Sequence, residues 1–286
     1  MKISVYISSY NQKEYLQVAI ESVLNQTFLP YEIIIVDDCS SDGSQELIKE
    51  YSKKYSFIRY VFHKENKGIA QVRITALSKV TGDFVTYLDG DDLYLPNKLE
   101  VESRLMQKNN SDIVFTNNMY VNPEDTNEIK WIWATDQIKL SSNLFVQTIT
   151  RNFPRRSLFR MELINYDFLK KIGFHDLNLR IYEDYELRIR LSMQAKISCS
   201  IEPTAKIRIS KHGLSKSDTI EHIKAYEYIY KKYEHEVSML DDSLKKGVVL
   251  KMKKNLDFLR KGVAQNKTAT FKEKVKKKLR RLIDKL

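Results

Sequence analysis

The sequence predicts an α/β fold, a mostly parallel central sheet flanked by helices with a helical C-terminal extension. Three observations predict it. Strand-like and helix-like periodicities alternate from the first residues to about residue 117. One strand, YEIIIVDD (31–38), is apolar until its acidic end, as strands buried on both faces are. After His222 the pattern is helical almost to the last residue.

In order, KISVYIS (2–8) reads as a strand, and YLQVAIESVLNQ (15–26) has the helical spacing of Leu16, Ala19, Ile20, Val23 and Leu24. After the 31–38 strand, Ser41 and Asp42 precede a helix to about Lys54, with Asp42 as its cap. FIRYVFH (57–63) is a strand and 68–79 a helix; DFVTYLD (83–89) is a strand, 96–107 a helix and SDIVFTN (111–117) a strand. Right-handed crossovers lay such a run into a parallel sheet. Beyond residue 118 the alternation stops. WIWATDQ and SSNLFVQTITRNFPRRSLFR suggest short antiparallel or loop-rich structure. ELINYDFLKKIG and EDYELRIRLSMQ (183–194) read as helices, and AKISCSIEPTAKIRIS (195–210) as one or two strands. The expected organisation is one domain over 1–218, with a nucleotide-binding half (1–117) and an acceptor-side half (118–218), then a basic helical extension over 219–286.

At 42% hydrophobic, the 286 residues can bury a sizeable core. No window approaches eighteen apolar residues, so no transmembrane helix is expected. MKISVYISSYN lacks a signal peptide's apolar block, and the cysteines, Cys39 and Cys199, argue against a disulfide framework or zinc site. A cytoplasmic enzyme is the expected class. The net charge of +11 is unevenly placed: residues 245–286 hold 16 Lys/Arg against 3 Asp/Glu, leaving 1–244 near neutral.

Three segments bring polar groups to strand ends: Ser8-Ser9-Tyr10-Asn11, Asp37-Asp38, and Asp89-Gly90-Asp91-Asp92. In an open α/β sheet ligands bind beyond those carboxyl ends. A helix cap or turn accounts for one carboxylate of the third segment, Asp92, but not for three. Crowded carboxylates raise one another's pKa unless a cation neutralises them, and Mg²⁺ or Mn²⁺ suits hard oxygen donors. An EF-hand is excluded because Leu93 and Tyr94 occupy its fifth and sixth positions. Mg²⁺ typically takes one or two carboxylates plus substrate phosphates, so a phosphate-bearing ligand is implied. Neither G-x-G-x-x-G after the first strand nor G-x-x-x-x-G-K-[ST] occurs.

Together SVYISSYNQKEYLQVAIESVLNQTF, EIIIVDDCSSDGS, ENKGIAQVR, DFVTYLDGDDLYLPNKL and YEDYELRIRL resemble family 2 glycosyltransferases of the GT-A fold, in order over roughly residues 1–215. The resemblance implies an inverting transferase using a nucleotide-diphosphate sugar, usually UDP-linked, and a divalent metal. By position it implies that Asp38 contacts the uracil, that Ser8, Tyr10 and Asn11 line the base, and that Arg73 is a nucleotide-side contact. It makes Asp89 and Asp91 the D-x-D pair, with Asp91 the direct metal ligand, and Gly90 the point of close approach to the donor. Asp184 becomes the catalytic base with Glu183 its companion, and His212 stands near the metal or diphosphate. Arg155 and Arg156 are candidates for the acceptor side or plain surface charges. Many relatives read P-T-Y-N where this chain has Ser8-Ser9-Tyr10-Asn11, an Asn where Ile74 stands, and a Trp at Arg188. The processive Q-x-x-R-W pattern is absent, which points to transfer of a single sugar to a glycan or lipid-linked acceptor, as in bacterial surface polysaccharide synthesis.

Read without the resemblance, Glu183 and Asp184 are first-turn acids suited to a helix dipole, Arg73 is a helix charge and His212 a solvated histidine. In the tail, Phe271, Val275, Leu279, Leu282, Ile283 and Leu286 form one helical stripe among lysines and arginines. Residues 268–286 suit an anionic membrane surface, a peripheral place on its inner face; packing on the body, a partner helix and nucleic acid are the alternatives, and the near-neutral body argues against nucleic acid. Two competing functions stand beside the transferase. One is a nucleotidyltransferase, whose basic glycine-rich loop ISSYNQKEY lacks; the other is a catalytically silent sugar-nucleotide-binding or membrane scaffold.

Overall fold

The structure, a computed structural model, describes residues 1–209 and 218–261. It forms two compact units, Met1–Ser210 and Lys211–Leu286, with the division ahead of the expected break after residue 218. His212 and the tail stretch 268–286 lie outside the described residues.

The first unit is built on strands β1 (Ile3–Ser9), β2 (Glu32–Asp37), β3 (Ile58–Phe62) and β4 (Phe84–Asp89), parallel in the spatial order β3-β2-β1-β4. Helices α1 (Lys13–Leu24), α2 (Ser44–Lys54) and α3 (Ile69–Leu77) connect them. Every residue of β1 and β2 is buried, which is why β2 reads as a continuous apolar run. Ile3, Val5, Ile7, Ile33, Ile34, Ile35 and Leu88 have no exposed surface. Each such side chain contributes roughly 1.5–3 kcal/mol by its burial. The register sets Ser8 beside Asp89 and Ser9 beside Asp37, so the polar strand ends share one edge.

The chain continues through β5 (Leu93–Tyr94), α4 (Lys98–Asn109), β6 (Ile113–Val121), β7 (Ile129–Ile132), α5 (Leu144–Ile149), a 3-10 turn (Pro154–Arg156), β8 (Leu163–Asn165), α6 (Tyr166–Ile172), α7 (Glu183–Ser192) and β9 (Ile197–Arg208). β8 lies antiparallel between β4 and β6, so β6 is not the next parallel neighbour that the alternating periodicity suggests. β6 and β9 pair in parallel, with β5 antiparallel on β9 and β7 antiparallel on β6. ELINYDFLKKIG is therefore strand, then helix. The helix starts only at Tyr166, because Asn165 caps it by accepting the Phe168 N–H. Asp42 sits one residue ahead of its expected place: Gly43 is the α2 N-cap, and Asp42 accepts from Ser44 N and Oγ and from Lys13 N.

The second unit contains α8 (Thr219–Lys232), α9 (Glu234–Ser238) and a helical stretch over 242–261. Asp218 caps α8 by accepting the Ile220 N–H, and Tyr226, Ile229, Tyr230 and Tyr233 are buried. Among the described residues no helix is long and apolar enough to cross a membrane.

Candidate active site

The site is assembled where β1, β2 and β4 end. Asp38, 2% exposed, has both oxygens committed: Oδ1 accepts from Lys67 N at 2.9 Å and faces His63 Nδ1 at 2.6 Å, and Oδ2 accepts from Gly68 N at 2.8 Å. It thereby fixes the loop that leads into α3. Asp37 accepts from Ser9, Ser40 and Gln45 and holds the β1 and β2 ends together. At the rim, Asn11 has a positive φ of 50° and ties to Ser40 and Ser41, while Tyr10 is exposed.

Arg73, delivered by α3, is buried and spans the strand ends. It donates to Asp89 Oδ1 at 3.1 Å, pairs with Glu183 at 3.5 Å and lies over the Tyr87 ring. Asp89 Oδ1 also accepts from Ser8, and Asp89 Oδ2 accepts from Arg160 at 2.9 Å. Burial pushes the Asp89 carboxyl up, but the Arg73 and Arg160 guanidiniums outweigh it and hold the group below the usual range. Asp91 is different. Among the described residues its carboxylate has no ion pair, and burial with the Asp89 charge pushes its pKa up. Asp92 is buried by the neighbouring strand and accepts the Arg208 N–H. Gly90 has a steric reason to be glycine: a Cβ there would sit 2.6 Å from the Ser8 carbonyl oxygen and 3.0 Å from Gln12 Oε1.

Helix α7 supplies the opposing acids from its first turn. Asp184 accepts from Arg188 Nη1 at 2.5 Å, and its side chain is 30% exposed. Burial pushes Asp184 up, yet Arg188 and then Arg73 pull it well below the ordinary carboxylate range. Burial instead raises Glu183, against the pull of Arg73. Arg188 is itself buried and donates to Glu162 at 3.0 Å and to the Tyr87 hydroxyl at 2.8 Å. Arg73, Tyr87, Glu162, His175, Asp184 and Arg188 line one cavity. His175 is held neutral there, by burial first and the Arg73 charge second.

Ser8, Arg73, Asp89, Glu183 and Asp184 thus converge. Asp38 acts one step back, through the loop before α3. Arg155 and Arg156 are exposed; Arg155 donates to the Ile132 carbonyl and lies over Trp131 rather than joining the carboxylates. Sequence reasoning missed Arg160, Glu162 and His175 and did not pair Arg188. The signal for two of them was RSLFRMELIN, where opposite charges interrupt an apolar stretch two residues apart.

The donor set bears on the implied metal. Among the described residues, no group of three or more His, Cys, Asp or Glu is placed to hold an ion. Asp89 has one oxygen engaged by Arg73 and the other by Arg160. Asp91 is a half-buried carboxylate with no ion pair among the described residues, which fits a divalent ion held by one protein carboxylate together with donor phosphates.

Comparison with known proteins agrees with this architecture. Residues 4–167 match the family described as Glycosyl transferase family 2. A cholesterol galactosyltransferase of Borreliella burgdorferi is 42% identical over 184 residues, covering 64% of this chain and 43% of that protein. The Escherichia coli UDP-Glc:alpha-D-GlcNAc-diphosphoundecaprenol beta-1,3-glucosyltransferase WfgD is 36% identical over 120 residues, covering 42% and 47%. The chain therefore spans less than half the length of each of these two relatives. Among solved structures, Staphylococcus aureus TarS 1-349 in complex with UDP-GlcNAc superposes with a TM-score of 0.70 at 20% identity, over 87% of this chain and 70% of that one, so the GT-A fold is shared. With a match over more than half its length, the chain belongs to glycosyl transferase family 2.

Proposed function

We propose that this protein is an inverting, metal-assisted glycosyltransferase. It moves one sugar from a nucleoside-diphosphate donor, a UDP-sugar, to a hydroxyl of a glycan or lipid-linked acceptor in bacterial surface polysaccharide synthesis. The observation that carries the reading is the division of labour among the acids. Asp89 is paired with both Arg73 and Arg160, Asp91 has no ion pair among the described residues, and Asp184 stands ionised at the head of α7. The names of the relatives support the donor and acceptor classes.

In the reaction, the acceptor oxygen forms a bond to the anomeric carbon as the bond from that carbon to the diphosphate breaks on the opposite face. Asp184 takes the hydroxyl proton. A divalent cation bound at Asp91 would supply charge compensation for the departing diphosphate, an effect worth several kcal/mol. Arg73 and Arg160 add fixed positive charge to the same strand edge. A base held as low as Asp184 is a weak one. Negative charge brought near Arg73 and Arg160 by the donor would offset part of their pull on Asp184, while a bound cation would oppose that change. Arg73 lies on the nucleotide side beside Asp89 and Ser8, Asp38 holds the loop before α3 that borders it, and Tyr10 and Asn11 stand at the rim. The basic stretch 268–286 supports a place at an anionic membrane surface, where a lipid-linked acceptor resides.

Calorimetric titration of UDP with and without Mn²⁺ tests this. Wild type is expected to bind UDP about tenfold or more tightly with Mn²⁺, a difference of roughly 1.4 kcal/mol. Asp91→Asn should lose that gain while keeping metal-free affinity. A metal gain that survives in Asp91→Asn would remove Asp91 from the site.

A further inference from the structure

A buried ion pair lies in the core of the first unit, away from any atom assigned above to donor or acceptor. Lys98 and Glu102, one turn apart on α4, are 1% and 0% exposed, and Lys98 Nζ donates to Glu102 Oε1 at 2.5 Å. Thr116 Oγ1 donates to the same Glu102 oxygen, and Glu102 Oε2 has no hydrogen-bond partner. Such a pair is weak evidence for stability, because well-packed apolar residues often serve a core as well or better. Its placement gives another account.

Lys98 Nζ also donates to the carbonyl oxygen of Met161 at 2.6 Å, and Thr86 Oγ1 donates to that oxygen at 3.1 Å. Met161 is a non-glycine residue at φ +55°, in the left-handed region, so its peptide is strained and needs such anchoring. Its two chain neighbours are Arg160 and Glu162. Arg160 donates to Asp89 at 2.9 Å. Glu162 accepts from Arg188 at 3.0 Å, and Arg188 donates to Asp184. One carbonyl therefore sits between two ion-pair chains, the first ending on the D-x-D loop and the second on the acid of α7.

We infer that Lys98, oriented by Glu102, is a positioning residue of the site: by pinning the Met161 carbonyl it sets Arg160 against Asp89 and Glu162 against Arg188, and so places Asp184. The second half of this inference rests on the transferase reading. The structural half, that the pair controls the surroundings of Asp184, does not.

The test replaces both partners, Lys98→Met with Glu102→Leu, so that neither buried charge is left alone. Three quantities are compared with wild type: thermal unfolding, UDP affinity in Mn²⁺, and the ¹³C titration midpoint of the Asp184 carboxyl. Turnover of UDP-glucose, UDP-galactose and UDP-N-acetylglucosamine with water as acceptor is the fourth. The double variant should melt close to wild type, and its UDP affinity should fall by no more than about tenfold, through the loosened Arg160, since Asp91 and the base-binding edge are untouched. Its Asp184 midpoint should rise toward the ordinary carboxylate value as Arg188 loosens. Its kcat should fall by about a hundredfold, as small misplacements of reacting groups do. Thr86→Val, which removes the second donor to Met161 together with a contact to the Tyr94 hydroxyl, should move both quantities the same way by less. A double variant with the wild-type midpoint and turnover would overturn the inference. So would one that no longer folds, which would assign the pair to the fold alone. If wild type turns over none of the donors, the transferase reading fails, while the Asp184 midpoint still decides the positioning.

Discussion

Replacing Arg188 by leucine removes the guanidinium that donates to Glu162, Asp184 and the Tyr87 hydroxyl. Arg188 is 1% exposed and the Glu162 side chain 3%, so Glu162 would be left as an uncompensated buried charge. Breaking such a pair from one side costs about 3–5 kcal/mol. The Asp184 half of the interaction is 30% exposed and adds little, at the ~0–1 kcal/mol level of a surface pair. A total of about 4 kcal/mol in a unit of this size lowers the melting temperature by roughly 8–16 °C. Circular dichroism melts would measure it. Adding Glu162→Leu removes the orphaned charge, so the double variant should recover most of the loss. A single variant that melts within about 2 °C of wild type would refute the reasoning, as would a double variant in which the two losses simply add.

Gly90→Ala should destabilise by about 1–3 kcal/mol and weaken UDP binding, because its Cβ meets the Ser8 carbonyl at 2.6 Å and must push the D-x-D turn off β1; denaturant unfolding and calorimetry check it. Burial raises Glu102 from 4.5 to about 7, so the folded protein holds that proton more tightly than the unfolded chain. The associated stability is complete below pH 4.5 and is lost as pH rises through about 7. Glu102→Gln, which keeps the shape of the protonated acid, should therefore flatten the decline of stability over that window, as urea unfolding at several pH values would show; an unchanged slope would contradict the assignment.

The sequence carried the parallel half of the fold because buried parallel strands leave apolar runs such as EIIIVD, and helices between them keep a different period. β5 and β8, at two and three residues, are too short for an alternation to repeat, so no pattern could register them. The convergence of Ser8, Asp89, Arg73 and Asp184 was legible from acids at strand and helix ends together with the family resemblance. The arginine frame was not. Arg188 follows Asp184 by one helical turn, a spacing equally common on solvated helix faces, and nothing local reveals that it is buried. Lys98 and Glu102 have that same spacing, and only the packing of β6 and β9 against α4 turns them into a core pair. Left-handed Met161 left no trace, since methionine is not a residue that signals positive φ.

The most direct test of the central claim is UDP release from a UDP-sugar by wild type and by Asp184→Asn, with UDP affinity in Mn²⁺ measured on both. If Asp184 is the base that receives the acceptor proton, kcat falls by about 10²–10⁴ in the variant while UDP affinity changes by less than about threefold. Wild-type turnover in Asp184→Asn, with the donor still bound, would show that this carboxylate does not take the proton.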